Sequence, residues 1–179
     1  MNNLIYVVDI ETDHLDCDVG SIVEIGIVLF SLDTKKIYCV FSSLIQEGKS
    51  INPDAWIFKN SSLKYEEVSK AKFLSEIFYV LQEIFSQGVF TSFNQKFDFA
   101  WLESRGFKIG NIFYDPMVVL TPIMKLSHVY YGFKFPSVEE AYYFLFHEYV
   151  REDHRALSDA FIEAKIVREM SNRGYFNEV

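Results

Sequence analysis

Apolar residues follow two rhythms along this chain, and the order of the rhythms predicts the fold. Leu4 to Ile10 is a short run rich in Ile and Val, the pattern of a strand buried on both faces at the centre of a sheet. Ile22 to Phe30 and Ile37 to Ile45 are two more such runs. Between them, Ser31 to Lys36 carries the turn dipeptide Asp33-Thr34, so an antiparallel hairpin is predicted beside the first strand. Ser50 to Lys64 contains Pro53 and several Asn and Ser without a period, and reads as a loop-rich crossing with short helical pieces that borders a substrate.

Past that crossing the period lengthens. From Glu66 to Phe85, Leu74, Ile77, Phe78, Leu81, Ile84 and Phe85 form the stripe of an amphipathic helix, which Gly88 ends. Val89 to Phe93 predicts a short strand, and Asn94 an N-cap for a helix to about Arg105, with Gly106 just beyond. Ile112 to Tyr114 predicts another short strand. Helices are predicted from Met117 to His128, Ser137 to His147 and Arg155 to Asn172. Hairpin strands first and alternating helices and strands afterwards indicate an α/β fold, a central mixed β-sheet flanked by helices. With no repeat, linker or low-complexity tract, residues 1–179 are expected to form one domain.

Composition narrows the class. Half the residues are hydrophobic and 17% aromatic, which excludes disorder, while charges interrupt every apolar run before bilayer-spanning length. A soluble protein without a membrane partner is expected. Met1 to Asp9 has neither a basic start nor a small-residue cleavage site, so no signal or transit peptide is expected and the location is taken as cytoplasmic. Cys17 and Cys39 lie far apart without metal-ligand spacing, which predicts neither a disulfide nor a zinc framework. The net charge of −8 argues against sequence-blind binding along a long duplex. It leaves room for a short nucleic-acid end, because bound divalent cations reverse the local sign of a carboxylate cluster.

Residues two apart in a strand share a face, so Asp9 and Glu11 present their carboxylates together where the first strand meets its loop. Hard oxygen ligands favour Mg²⁺ or Mn²⁺, and two such ions about 3.5 to 4 Å apart suit phosphodiester cleavage. Asp98 and Asp159 each fall in the first turns of a predicted helix, from which both can reach the sheet edge. Four crowded carboxylates repel by roughly 4 kcal/mol per pair about 4 Å apart at an effective dielectric near 20, a penalty that two cations remove. His154 lies just before the last helix, where a loop aims its imidazole at the attacking water. With an unperturbed pKa of about 6.5 a histidine accepts a proton near neutral pH, so general base is the natural role.

Val8-Asp9-Ile10-Glu11-Thr12, Asn94-Gln95-Lys96-Phe97-Asp98 and His154-Arg155-Ala156-Leu157-Ser158-Asp159-Ala160 resemble the three motifs of the DEDDh family, the DnaQ-like 3′-to-5′ exonucleases. Ile22-Val23-Glu24-Ile25-Gly26 and Phe135-Pro136-Ser137-Val138-Glu139-Glu140-Ala141 are similar to the family too. The resemblance implies an RNase H-like fold, metal ligation by Asp9, Glu11, Asp98 (partly through water) and Asp159, and His154 as general base. A sister group carries tyrosine four residues before the last aspartate. Arg155 holds that position here, with His154 one earlier, which favours the histidine group. Asp13-His14 replaces a usual Thr-Gly, and Phe93 a usual histidine. The loop after Glu11 lies against the terminal nucleotide in this family, so Ile10, Thr12 and Asn94 are candidate nucleotide-binding residues.

Each part has an ordinary explanation alone: an acidic pair at a strand end is usually solvated, and Asp98 suits a helix start through the dipole. Their order along the chain, each on a suitable element, carries the functional reading. Glu24, within the second strand, is assigned a structural or edge role. His14, His128 and His147 lack partners at ligand spacing. Phe58, Phe97, Phe99 and Trp101 can stack on bases, but core packing is the expected use for most of them. The expected function is a two-metal 3′-to-5′ exonuclease releasing nucleoside 5′-monophosphates from single-stranded DNA or RNA. Two alternatives stand beside it: a weakly catalytic binding or scaffold module of a polymerase or repair complex, and a phosphodiesterase for very short oligonucleotides.

Overall fold

The structure, a computed structural model, describes residues 4–127 and 132–176. β1 (Leu4–Thr12), β2 (Ile22–Ser31) and β3 (Ile37–Gln46) form an antiparallel meander. β4 (Lys72–Phe73) adds parallel to β3, while β5 (Val89–Thr91) and β6 (Asn111–Ile112) add parallel beyond β1, giving the mixed order β4-β3-β2-β1-β5-β6. The helices are α1 (Trp56–Asn60), α2 (Tyr65–Val68), α3 (Leu74–Ser86), α4 (Gln95–Ser104), α5 (Pro116–Met124), α6 (Val138–Phe146) and α7 (Ala156–Asn172).

The alternation of β1 decides what faces what. Ile5 and Val7 pack with Val28 and Phe30 of β2 against Ala160, Ala164 and Val167 of α7. Val8 and Ile10 point the other way, into a cluster with Leu81 and Phe85 of α3 and Trp101 and Leu102 of α4. Fully burying such a side chain contributes about 1.5 to 3 kcal/mol, so the two clusters clamp β1 in one register. Asp9 and Glu11 share the parity of Ile5 and Val7, which puts them on the α7 side of the sheet.

Close packing of α7 on β2 depends on Gly26, the ladder partner of Asp9. A Cβ there would lie 2.4 Å from the Ala156 carbonyl and from the Leu157 nitrogen. The first turn of α7 therefore rests directly on the β2 backbone.

Several boundaries differ from expectation. The helix predicted from Glu66 divides into α2, β4 and α3, because its apolar stripe starts only at Leu74. Phe73 donates its N–H to the Glu76 carboxylate (2.6 Å), and the Gln46 side chain takes the Ala71 carbonyl (2.8 Å), fixing an extended segment against β3. α5 stops at Met124 because Lys125 turns left-handed (φ 52°), so its predicted end at His128 is too late, and His128 itself lies outside the described residues. β1 extends through Glu11 to Thr12, with a bulge between them. Asn94 adopts φ 75° and makes no side-chain cap; the Asp115 carboxylate instead accepts the Asn94 N–H at 3.4 Å and the Gln95 N–H at 2.9 Å. β5 ends at Thr91 rather than Phe93, and β6 begins a residue earlier than predicted and ends at Ile112.

Candidate active site

Three elements and the loop before α7 bring the candidate residues together. Asp9 and Glu11 stand in the last stretch of β1, Asp98 in the first turn of α4, and Asp159 in the first turn of α7. His154 sits one residue before the N-cap of α7 with φ 51°, a left-handed conformation uncommon outside glycine. One ligand atom from each of Glu11, His154 and Asp159 lies within 4.8 Å of the other two.

Hydrogen bonds fix the rest. Asp98 is buried with both oxygens engaged: Oδ1 accepts the Ile10 N–H at 3.3 Å and Oδ2 accepts the Ser92 hydroxyl at 2.9 Å. Asp159 accepts the Asp153 and Arg155 N–H groups, each at 3.2 Å, so it holds the loop that carries His154. Arg155 forks onto Glu24 of β2, which faces Glu11 across the ladder, with three N···O distances of 2.9 to 3.2 Å. Glu24 also accepts the Ala156 N–H at 3.1 Å. Its role is to dock the start of α7, the structural use expected of it.

The electrostatics of the cluster suit a cation. Burial, and then the neighbouring Asp159 and Glu24 carboxylates, push Glu11 up to about 9. Burial raises Asp98 to about 7 against the lowering effect of its Ser92 and Ile10 hydrogen bonds. Asp9 is driven well up by burial and by Glu163, Asp98, Glu11 and Asp159, and its Oδ2 is buried without a hydrogen-bond partner. Asp159 is raised by burial, in part offset by its backbone bonds and by His154. An orphaned carboxylate oxygen among oxygen donors fits a hard divalent cation, which reverses these penalties.

A cavity of about 480 Å³ opens beside the cluster, lined by Ile10, Glu11, Thr12, His14, Trp56 and Phe97 among others. Asn94 lines a neighbouring cavity of about 290 Å³ with Leu15, Lys96, Phe97 and Trp101. Thr12 turns its hydroxyl to the His14 carbonyl (2.7 Å), and the Ile10 side chain is mostly core. Phe99 and Trp101 are likewise buried in the core, leaving Phe97 as the stacking candidate at both cavities. The unusual Asp13 ties the loop down, accepting the Ser21 N–H at 2.6 Å and the Asn52 N–H at 3.4 Å. A larger cavity of about 740 Å³, walled by Cys17, Lys49, Phe73 and Arg105, holds none of the five residues.

Sequence reading missed Glu163, Glu152 and Trp56. Glu163, buried on α7 one turn beyond Asp159, is raised well above the usual range by burial and by Asp98. Its i, i+4 spacing from Asp159 was the available signal. Burial, Asp159 and Glu139 raise Glu152 to about 7. Trp56, which lines the cavity, meets the His154 ring edge to face, a pairing that sequence spacing does not reveal.

A family model described as RNase_T: Exonuclease matches residues 6–167. No curated protein sequence matches the chain. Among solved structures, cell-death related nuclease 4 (CRN-4) is similar at TM-score 0.73 and 11% identity over 96% of this chain and 64% of that one. The nuclease domain of 3′hExo, a DEDDh family member bound to rAMP, gives 0.72 and 13% over 97% and 94%. E. coli Exonuclease I in complex with a dA16 oligonucleotide gives 0.71 and 11% over 98% and 42%. The chain thus spans less than two thirds of the length of CRN-4, and these likenesses establish the RNase H-like exonuclease fold. No helix among the described residues is long and apolar enough to cross a membrane. With the family model covering most of its length, the chain belongs to the RNase_T exonuclease family.

Proposed function

We propose that the protein is a 3′-to-5′ exonuclease that hydrolyses terminal phosphodiesters of single-stranded DNA or RNA and releases nucleoside 5′-monophosphates. The observation that carries this is the convergence of Glu11, His154 and Asp159 beside a cavity of nucleotide size. Asp9, Glu11, Asp98 and Asp159 would hold two divalent cations, Mg²⁺ or Mn²⁺. Bound there, the cations supply Lewis-acid stabilisation of charge on the phosphate and on the departing 3′ oxygen.

The chain's own groups do the rest. An imidazole nitrogen of His154 takes the proton from the attacking water, and the Asp159 carboxylate beside it stabilises the imidazolium that results. Asp98, with both oxygens engaged by Ile10 and Ser92, is held rigidly where it would help to bind a cation. Ile10, Thr12 and Asn94 border the terminal nucleotide, and Phe97 and Trp56 offer aromatic faces to bases. The surroundings favour a short substrate: the net charge of −8 disfavours a long polyanion, and a cavity of about 480 Å³ has room for little more than a terminal nucleotide.

The test is cleavage of matched 3′-labelled and 5′-labelled DNA and RNA strands, from dinucleotides upward, with Mn²⁺. Stepwise release of monophosphates from the 3′ end is expected. Release from the 5′ end, or full activity in excess chelator, overturns the proposal. An interaction with a polymerase or repair complex is a separate reading, and no observation on this surface favours it.

A further inference from the structure

Glu163 is an expensive residue where it stands. It is 2% exposed on α7, faces Asp98 and Asp159 as like charges, and forms no ion pair among the described residues. A leucine there would pack against α7's apolar neighbours without a desolvation penalty. Among the described residues the carboxylate makes one hydrogen bond, accepting the Phe93 N–H through Oε2 at 3.1 Å.

That bond falls at a critical place. Phe93 lies in the turn from β5 to α4, between Ser92, whose hydroxyl holds Asp98 Oδ2, and Asn94, whose backbone is left-handed. Asp115 accepts the next two N–H groups, those of Asn94 and Gln95. Two carboxylates thus pin the turn, Asp115 from the start of α5 and Glu163 from the middle of α7. Without Glu163, a buried N–H beside the site would lose its acceptor, and the turn would lose its link to the helix that carries Asp159.

We propose that Glu163 is a positioning residue for the cleavage reaction: by accepting the Phe93 N–H it locks the β5–α4 turn to α7 and so sets Ser92 and Asp98 against Asp159. The inference rests on the exonuclease reading for its kinetic consequences, but its structural content is independent of that reading. What the position requires is an acceptor of this length, not a charge.

The experiment compares Glu163→Gln, which keeps the acceptor, with Glu163→Leu, which removes it. Glu163→Gln is expected to keep kcat within about 3-fold of wild type, while Glu163→Leu lowers kcat roughly 10- to 100-fold with KM little changed. Adding Ser92→Ala to Glu163→Leu should cost little beyond the worse single change, because both act on Asp98. A readout independent of turnover is the ¹³C carboxyl resonance of Asp98 in the metal-free protein, expected to move in the Leu variant and to stay in the Gln variant. If Glu163→Leu does not fold, Glu163→Ala takes its place with the same expectations. Equal impairment of the Gln and Leu variants, multiplicative effects with Ser92→Ala, or an Asp98 resonance unmoved by loss of the acceptor overturns the proposal. A wild-type protein that cleaves no oligomer defeats the exonuclease reading instead, and the Asp98 resonance then decides the positioning role alone.

Discussion

The indole of Trp56 meets the imidazole of His154 edge to face, with 4.8 Å between ring centroids and 77° between planes. Trp56 is still 59% exposed, so one ring both restrains the proposed base and faces the cavity. Edge-to-face pairs contribute about 0.5 to 1.5 kcal/mol, so Trp56→Ala is expected to lower kcat by roughly 2- to 12-fold, and Trp56→Phe by less. Steady-state rates on a labelled oligomer check this. Only two tryptophans are present and Trp101 is buried, so nucleoside monophosphate binding should quench Trp56 emission, and an unchanged spectrum would remove it from the substrate path.

His154 itself has two possible duties, because it sits as close to Glu11 and Asp159 as a third ligand would. As a base, His154→Ala loses roughly 10²- to 10⁴-fold in kcat while Mn²⁺ affinity stays within about 3-fold. Calorimetric Mn²⁺ titration of the variant separates the duties. A loss of affinity of about 10-fold or more would make the imidazole a ligand instead.

The raised carboxyls give metal binding a pH signature. Glu11 moves from 4.5 to about 9 and Asp98 from 3.8 to about 7 on folding. A group whose folded-state pKa is raised holds its proton longer in the fold, so its contribution to stability is present at low pH. That contribution falls as pH rises from about 4 through these values. The metal-free protein should therefore melt at a lower temperature at pH 8 than at pH 6. A divalent cation binds the ionised form, so the gain in Tm on adding Mn²⁺ should be larger at pH 8, at roughly 2 to 4 °C per kcal/mol for a chain of this size. Thermal melts with and without Mn²⁺ at both pH values measure it, and an equal or smaller gain at pH 8 contradicts the cluster's role.

Glu24 lies on the hairpin that bears no proposed ligand, yet Arg155 and the Ala156 N–H both depend on it. Removing one partner of a buried pair costs about 3 to 5 kcal/mol, and with the Arg155 side chain 34% exposed an effect of about 1 to 3 is expected for Glu24→Ala. Melting should drop by several degrees and kcat should fall with it, since His154 adjoins Arg155. A variant with an unchanged melt would show that α7 docks without this fork.

The three strands, the α3 stripe and the start of α7 were legible because each is a local pattern: alternation, a 3.6 period, or a residue type at an element's end. The five candidate residues were legible for the same reason, since each motif lies within one stretch of chain. Glu163 was hidden because its value depends on Phe93, 70 positions away. Asn94 does occupy the N-cap of α4, but its side chain makes no capping bond: Asp115 arrives from another element and takes over the backbone donors. Trp56 belongs to a stretch without periodicity, where spacing carries no information about which ring it will meet.

Gly26 touches no substrate in any version of this mechanism, yet the first turn of α7 can settle on the sheet only because that residue has no side chain. The spacing between two halves of a chemical centre is thus stored as an absence. A methyl group added there would leave Asp9, Glu11, Asp98, His154 and Asp159 in place along the chain and wedge the last two away from the first two. Inactive versions of this fold can therefore arise with every chemically active residue intact, and counting those residues would not detect them.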